Sequence, residues 1–291
     1  MQWSPLARQL RLVNELRVAR GETKIADIAS RVSANRTRLT QVFNGSIRPN
    51  VDDITRIVTA LELNGSAANQ LMGLVRDASQ RGWWDEADRM GPRQRVAAAL
   101  EAGAAEIRSY QSMTVHGLLQ VASFAERRVG QAELFGTRAE SATADKVLSG
   151  RLTRQTMALL PDGPKLTVVM EEHVFRRLGA PPDVMREQLQ HLRDLIQNND
   201  HVKIRALPVK ARIRDYVSPP GSFDIFAYSD PNDPTVVTLE ATATTEDPMW
   251  HSLAHPTQVD MFLGIHERIT EAALSDEETL ALINEEIGEL Q

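Results

Sequence analysis

The sequence predicts an N-terminal all-α five-helix bundle containing a helix-turn-helix, followed by a C-terminal α+β domain with a small sheet covered by helices. Three observations carry this reading. Apolar residues recur at helical spacing through the first 80 residues, punctuated by Gly, Asn and Pro. Beyond about residue 160, short β-branched or alternating runs bounded by Pro, Gly and Asp are interspersed with helical stretches. The charge also divides unevenly: residues 1–80 hold 11 Lys+Arg against 7 Asp+Glu, and residues 81–291 hold 22 against 32, within a net charge of −6. A length of 291 residues leaves room for about two domains. The expected boundaries are 1–80 for the bundle, 81–92 for a junction and 93–291 for the mixed domain.

Leu6, Leu10, Val13, Leu16 and Val18 define a first helix that stops at Gly21. Thr23 is placed to cap a second helix carrying Ile25, Ile28, Ala29 and Val32. Ser33-Ala34-Asn35 reads as a tight turn, with Asn35 capping a third helix from Arg36 to Asn44 and Gly45 ending it. A fourth helix carries Ile54, Ile57, Val58 and Leu61, and a fifth Leu71, Leu74 and Val75. Two helices joined by so short a turn match a helix-turn-helix unit. The stretch 80–92, with Trp83, Trp84 and Pro92, reads as the junction. From there to about 160 the chain reads as helical, including the Ala-rich stretch 92–110. Strands are expected at 166–170, 202–208, 222–228 and 235–240, a helix between the first two, and helix again from about 256 to 289.

There is no cysteine, which excludes a disulfide scaffold, a thiolate zinc site, an iron–sulfur cluster and a cysteine nucleophile. No apolar run reaches the ~18 residues of a membrane helix, and the N-terminus lacks the continuous apolar core of a secretory signal. A cytoplasmic protein with no membrane partner is expected. A small basic segment on a large acidic one suggests a nucleic-acid-facing head on a body with another task.

The third helix is short enough to enter a major groove, and it would present Arg36, Thr37, Arg38, Thr40 and Gln41 to base edges. Arg can take guanine bidentately, Gln adenine, and a Thr methyl can touch thymine. Lys24, Asn44, Arg48 and Asn50 would hold phosphates. Leu39, Val42 and Phe43 would pack the opposite face. The competing reading is an ordinary helical bundle whose charged face is merely solvated.

The pattern I-A-x-x-V…L-T-Q-V-F-N-G-S-I-R-P resembles the lambda-repressor/Cro, or xenobiotic-response-element, type of helix-turn-helix over about residues 6–79. That resemblance implies base contact from Arg36, Thr37 and Gln41 and phosphate contact from Asn44. The chain departs from the family at Ile25, where Gln is frequent, and at Ser33 or Ala34, where the turn usually has glycine. The set WW (83–84), YQSMTVHGLLQVASFA (110–125), RLTRQ (151–155), VVMEEHVFRR (168–177), REQLQHL (186–192), VKIRALP (202–208) and PGSFDIFAY (220–228) resembles the antitoxin-like domain found behind this helix-turn-helix in many actinobacterial regulators. What that implies is a regulator with a sensing or partner-binding body.

Other constellations point elsewhere only weakly. His251 and His255 have the spacing of two zinc ligands, but no Glu sits beside His251 and Pro256 follows at once, so they read as loop histidines near a helix start. Glu171-Glu172-His173 reads as a helix start, and Arg176-Arg177 as solvent-facing. No phosphate-binding glycine loop or G-x-S-x-G is present. Trp83, Trp84, Phe223, Phe226, Tyr228 and Trp250 would either plug a core or line a ligand pocket. The expected function is a transcriptional regulator, not an enzyme, needing no cofactor or metal. It would bind double-stranded DNA as a homodimer on a near-palindromic operator and answer to a small ligand or protein partner. The alternative is an antitoxin-like module that sequesters a small partner protein and binds DNA for autoregulation.

Overall fold

A computed structural model describes residues 3–85, 90–134, 144–240 and 248–290. Residues 86–89 of the expected junction lie outside the described residues. The chain opens with α1 (Pro5–Arg20), α2 (Ile25–Arg31), α3 (Arg36–Asn44), α4 (Val51–Ala60) and α5 (Gly65–Ala78). Leu12, Leu16, Ile28, Leu39, Val42, Phe43, Ile54, Ile57 and Leu74 close one core among these five helices. Local signals start and stop them. Ser4 caps α1 before Pro5, and Asn50 and Asp53 form a capping box on α4. Two expectations need correction here. Lys24, not Thr23, occupies the N-cap of α2, and no side chain caps that helix. Val18 is 70% exposed, because a residue two after Leu16 points away from the stripe that Leu12 and Leu16 define.

After a 3₁₀ turn at Trp83–Asp85 comes α6 (Pro92–Glu101), and then, where the sequence predicts continued helix, a strand, β1 (Ala104–Gln111). Gly103, at φ 73°, ends the helical run, since this conformation suits glycine. The remaining elements are α7 (Ala122–Leu134), α8 (Ala144–Ala158), β2 (Lys165–Glu171), α9 (Glu172–Arg176), α10 (Pro182–Asn198), β3 (Val202–Leu207), β4 (Phe223–Tyr228), β5 (Val236–Leu239), β6 (Met249–His251), α11 (Pro256–Ala272) and α12 (Asp276–Glu289). The sheet has six strands in the order β3-β2-β1-β4-β5-β6, larger than expected and mixed. β1, β2 and β3 run parallel, and β4, β5 and β6 continue antiparallel from β1.

Both faces of the sheet are covered, which is why β2 reads as an almost unbroken apolar run. Ile107, Leu166, Val168, Ile204 and Phe226 face a core shared with Phe124, Leu189, Leu192 and Ile283. Tyr110, Val169, Phe223, Ile225 and Val237 face the other side, packed on Val259, Phe262 and Ile269 of α11. Among the described residues no helix is long and apolar enough to cross a membrane.

The two cores share one helix. Leu12 and Leu16 of α1 lie in the first core, whereas Leu6 and Leu10 pack against the sheet core. Near its start, Ser4 Oγ donates to Ala99 O at 2.6 Å, and Arg8 and Arg11 reach the β4–β5 connection at Asp230 and Asp233.

Candidate nucleic-acid interface

α3 forms because its ends are specified and its two faces differ. Asn35 Oδ1 accepts the Arg38 N–H at 3.1 Å, and Gly45 closes the helix in the left-handed conformation at φ 76°. Ser46 N–H then reaches back to Gln41 O. Leu39, Val42 and Phe43 are buried, and Phe43 lies under the Arg20 guanidinium with 5.8 Å between them. The connection from α2 turns at Ser33, φ 47°, a backbone conformation that favours glycine.

Arg36, Thr37, Thr40, Gln41 and Asn44 are all exposed and fall on one stripe of α3 by helical spacing. Thr40 Oγ1 donates to Arg36 O and Asn44 Oδ1 accepts the Ser46 N–H, so both are oriented by local bonds. Arg36, Thr37 and Gln41 have no side-chain partner among the described residues. Lys24 is exposed at the start of α2.

Three predicted contacts are otherwise engaged. Arg38 makes a bidentate pair with Asp53 of α4, at 2.6 and 2.7 Å, rather than standing free for a base. The Asp53 hydrogen bond raises the Arg38 pKa further, so the guanidinium stays charged and held. Arg48 pairs with Asp85 at 3.1 and 3.2 Å, tying the loop before α4 to the junction. Asn50 Oδ1 accepts the Asp53 N–H at 2.8 Å as the cap of α4. The sequence held no local sign of these acceptors, which lie 15 and 37 residues away from the two arginines.

The six residues proposed for one ligand pocket are divided among three places. Trp83 and Trp84 meet edge to face, 5.8 Å apart, where the junction packs on α6. Phe226 and Tyr228 lie on one sheet face, with Tyr228 Oη donating to Leu100 O. Phe223 and Trp250 lie on the other, each against Phe262. Strand alternation sends Phe223 and Phe226 to opposite faces, so they cannot line one cavity.

His251 is in β6 and His255 is the N-cap of α11, their rings edge to face at 5.6 Å. No group of three His, Cys, Asp or Glu among the described residues could hold a metal ion. Arg176 is not simply solvent-facing, as it pairs with Glu172, Glu285 and Glu286. Sequence reasoning missed the cluster of Arg8, Arg11, Asp230 and Asp233, because the partners lie more than 200 residues apart.

A family model described as a domain of unknown function (DUF5753) matches residues 94–285, about two thirds of the chain. No curated protein and no solved structure matches.

Proposed function

This chain belongs to the DUF5753 family, and from that premise we propose that it is a sequence-specific DNA-binding regulator whose α2–turn–α3 unit acts as a helix-turn-helix head on the family domain. The observation that carries the reading is the exposed stripe of α3, with Arg36, Thr37 and Gln41 lacking side-chain partners among the described residues and the opposite face locked into the core. Two copies on symmetric half-sites about one helical turn apart would present two such stripes to successive major grooves.

Selection from a pool of random duplexes with the full chain tests this. A consensus should emerge, and Arg36→Ala or Gln41→Ala should each cost about 1–3 kcal/mol on it while leaving random DNA unaffected. Five of the eleven basic residues in 1–80 (Arg8, Arg11, Arg38, Arg48 and Arg56) already hold carboxylates. A dimer should therefore neutralise only about four to six phosphates, giving a slope of log K against log salt near −4 to −5. A pool that yields no consensus, with no affinity for DNA at low salt, overturns the reading.

A second reading, the capture of a small partner protein, is favoured by one observation. At the carboxyl ends of β1, β2 and β3 and in the loop beyond, Met113, Leu178, Val209 and Tyr216 are exposed, Tyr216 at 88%. Met113 and Leu178 border a cleft of about 260 Å³. Exposed apolar groups gathered at one edge suit a protein contact.

A further inference from the structure

We propose that the cleft just past the carboxyl ends of β1 and β2 binds a small anionic amphiphile, a free medium-chain carboxylate, whose chain covers the apolar floor and whose head meets the arginines of the wall. The cleft measures about 260 Å³, just below the usual range of drug-sized ligands, so its occupant is small. Its walls come from the segment after β1, from α7, from α9 and the residues beyond it, and from the start of α10. That end of a parallel sheet, where successive connections part, is where open α/β folds hold ligands. The site goes beyond the DNA reading and gives the apolar edge an occupant other than a protein.

The floor is apolar and the wall is already built. Val115, Phe124, Val174 and Met185 line the cleft and are buried. Met113 and Leu178 lie at its edge, 64% and 58% exposed. An alkyl chain laid there would take this apolar surface out of water. Met113 and Met185 have unbranched, adaptable side chains, which suit a flexible chain better than a rigid ring. The segment between β1 and α7 is held by hydrogen bonds along its length. Ser222 Oγ accepts the Ser112 N–H at 3.0 Å, and Gln120 Nε2 donates to Val115 O at 2.7 Å. Fully buried Gln188 donates to Leu119 O at 2.8 Å and accepts the Val121 N–H at 2.9 Å. A wall fixed in advance spares the ligand the cost of ordering it.

The charge of the wall selects the head. The ionisable residues that line the cleft are Arg128 and Arg177, both exposed, and no Asp or Glu lines it. Arg177 has no side-chain partner among the described residues. A carboxylate would gain charge-assisted hydrogen bonds from such a wall. An ammonium head on the same chain would meet only like charge, and an alcohol would bury the chain but gain less at its head. The small volume suits a carboxylate better than a bulkier phosphodiester.

The test uses the full chain without DNA, carrying carbon-13 at its methionine methyl groups, so that binding is read at the cleft itself. Met113→Leu and Met185→Leu assign the two signals. Octanoate, kept below its micelle concentration, should shift both in a saturable way and leave Met72 of α5 unmoved. 1-Octanol should bind more weakly, and octyltrimethylammonium weakest. The double variant Arg128→Gln/Arg177→Gln should weaken octanoate about three- to tenfold relative to octanol. Absence of a saturable shift with octanoate overturns the proposal. So does octanol or the ammonium binding as tightly as octanoate, or equal weakening of octanoate and octanol by the double variant. A cleft filled by a second copy would show as movement of both methyl signals on dilution without any amphiphile, and a bilayer surface as sedimentation with anionic vesicles while octanoate leaves the signals in place. Either result overturns it as well.

Discussion

Arg38 and Arg36 are two positions apart on one helix, both exposed, and the structure gives them opposite employment. Arg38 turns toward α4 and gives two donors to Asp53, whereas Arg36 has no side-chain partner among the described residues. Arg38→Ala is therefore expected to lower the melting temperature and leave base preference unchanged, while Arg36→Ala should lose preference at one base pair per half-site and melt normally. Denaturation paired with selection on random duplexes separates the two. The reverse pattern would mean that Arg38 leaves Asp53 on DNA. Sequence could not divide these residues, because the difference lies in a carboxylate on the next helix. What it could show was the face: Leu39, Val42 and Phe43 are apolar at helical spacing, and their burial follows from period alone.

At the scale of elements, α1 is the member that holds two structures together. Arg8 and Arg11 bind Asp230 and Asp233, and the Asp233 side chain is 1% exposed. Burial pushes the Asp233 carboxyl up although Arg8 and Arg11 oppose it; the Asn232 N–H, assisted by Arg11, holds Asp230 at about 2. Asp233→Ala would leave two largely buried guanidinium groups with the more exposed Asp230 and, for Arg8, the more distant Asp77, and should destabilise the contact by about 3–5 kcal/mol. In calorimetry we expect a single transition for the parent chain and an additional, earlier one for the variant. An unchanged single transition would show that Asp230 alone suffices. Of all the elements, β1 was the least legible. It buries Ser109 and Gln111 in its second half and carries Glu106 and Arg108 in its first, so it shows neither an apolar run nor clean alternation. β2 is legible as a nearly unbroken apolar run, and β3 as an alternation in which Val202, Ile204 and Ala206 are buried between Lys203 and Arg205. Their order in the sheet is a matter of long-range pairing, on which local periodicity is silent.

Across the whole molecule, acidity should act through two histidines held neutral. Burial lowers the pKa of His266 to about 4, with Arg108 adding to the effect, and lowers that of His251 to about 4, assisted by His255 and by Arg17 of α1. A folded-state value below that of the free side chain means that the unfolded chain binds more protons between the two. Stability is thus complete above pH ~6.5 and falls as the pH drops toward 4, by on the order of 3 kcal/mol for the well-buried His266. His266→Leu should flatten that part of the profile in urea titrations at stepped pH, and a slope that persists unchanged would assign it elsewhere. The shared helix also bears on how such chains can be recombined. A head exchanged at residue 80 carries Leu6, Arg8, Leu10 and Arg11 with it, residues whose partners, among them Asp230 and Asp233, stay behind in the old body. A chimera cut there would have to satisfy two lineages with one helix. A graft beginning after Leu10 would cut the helix itself, so the heads and bodies of such chains should be inherited as matched sets rather than traded as modules.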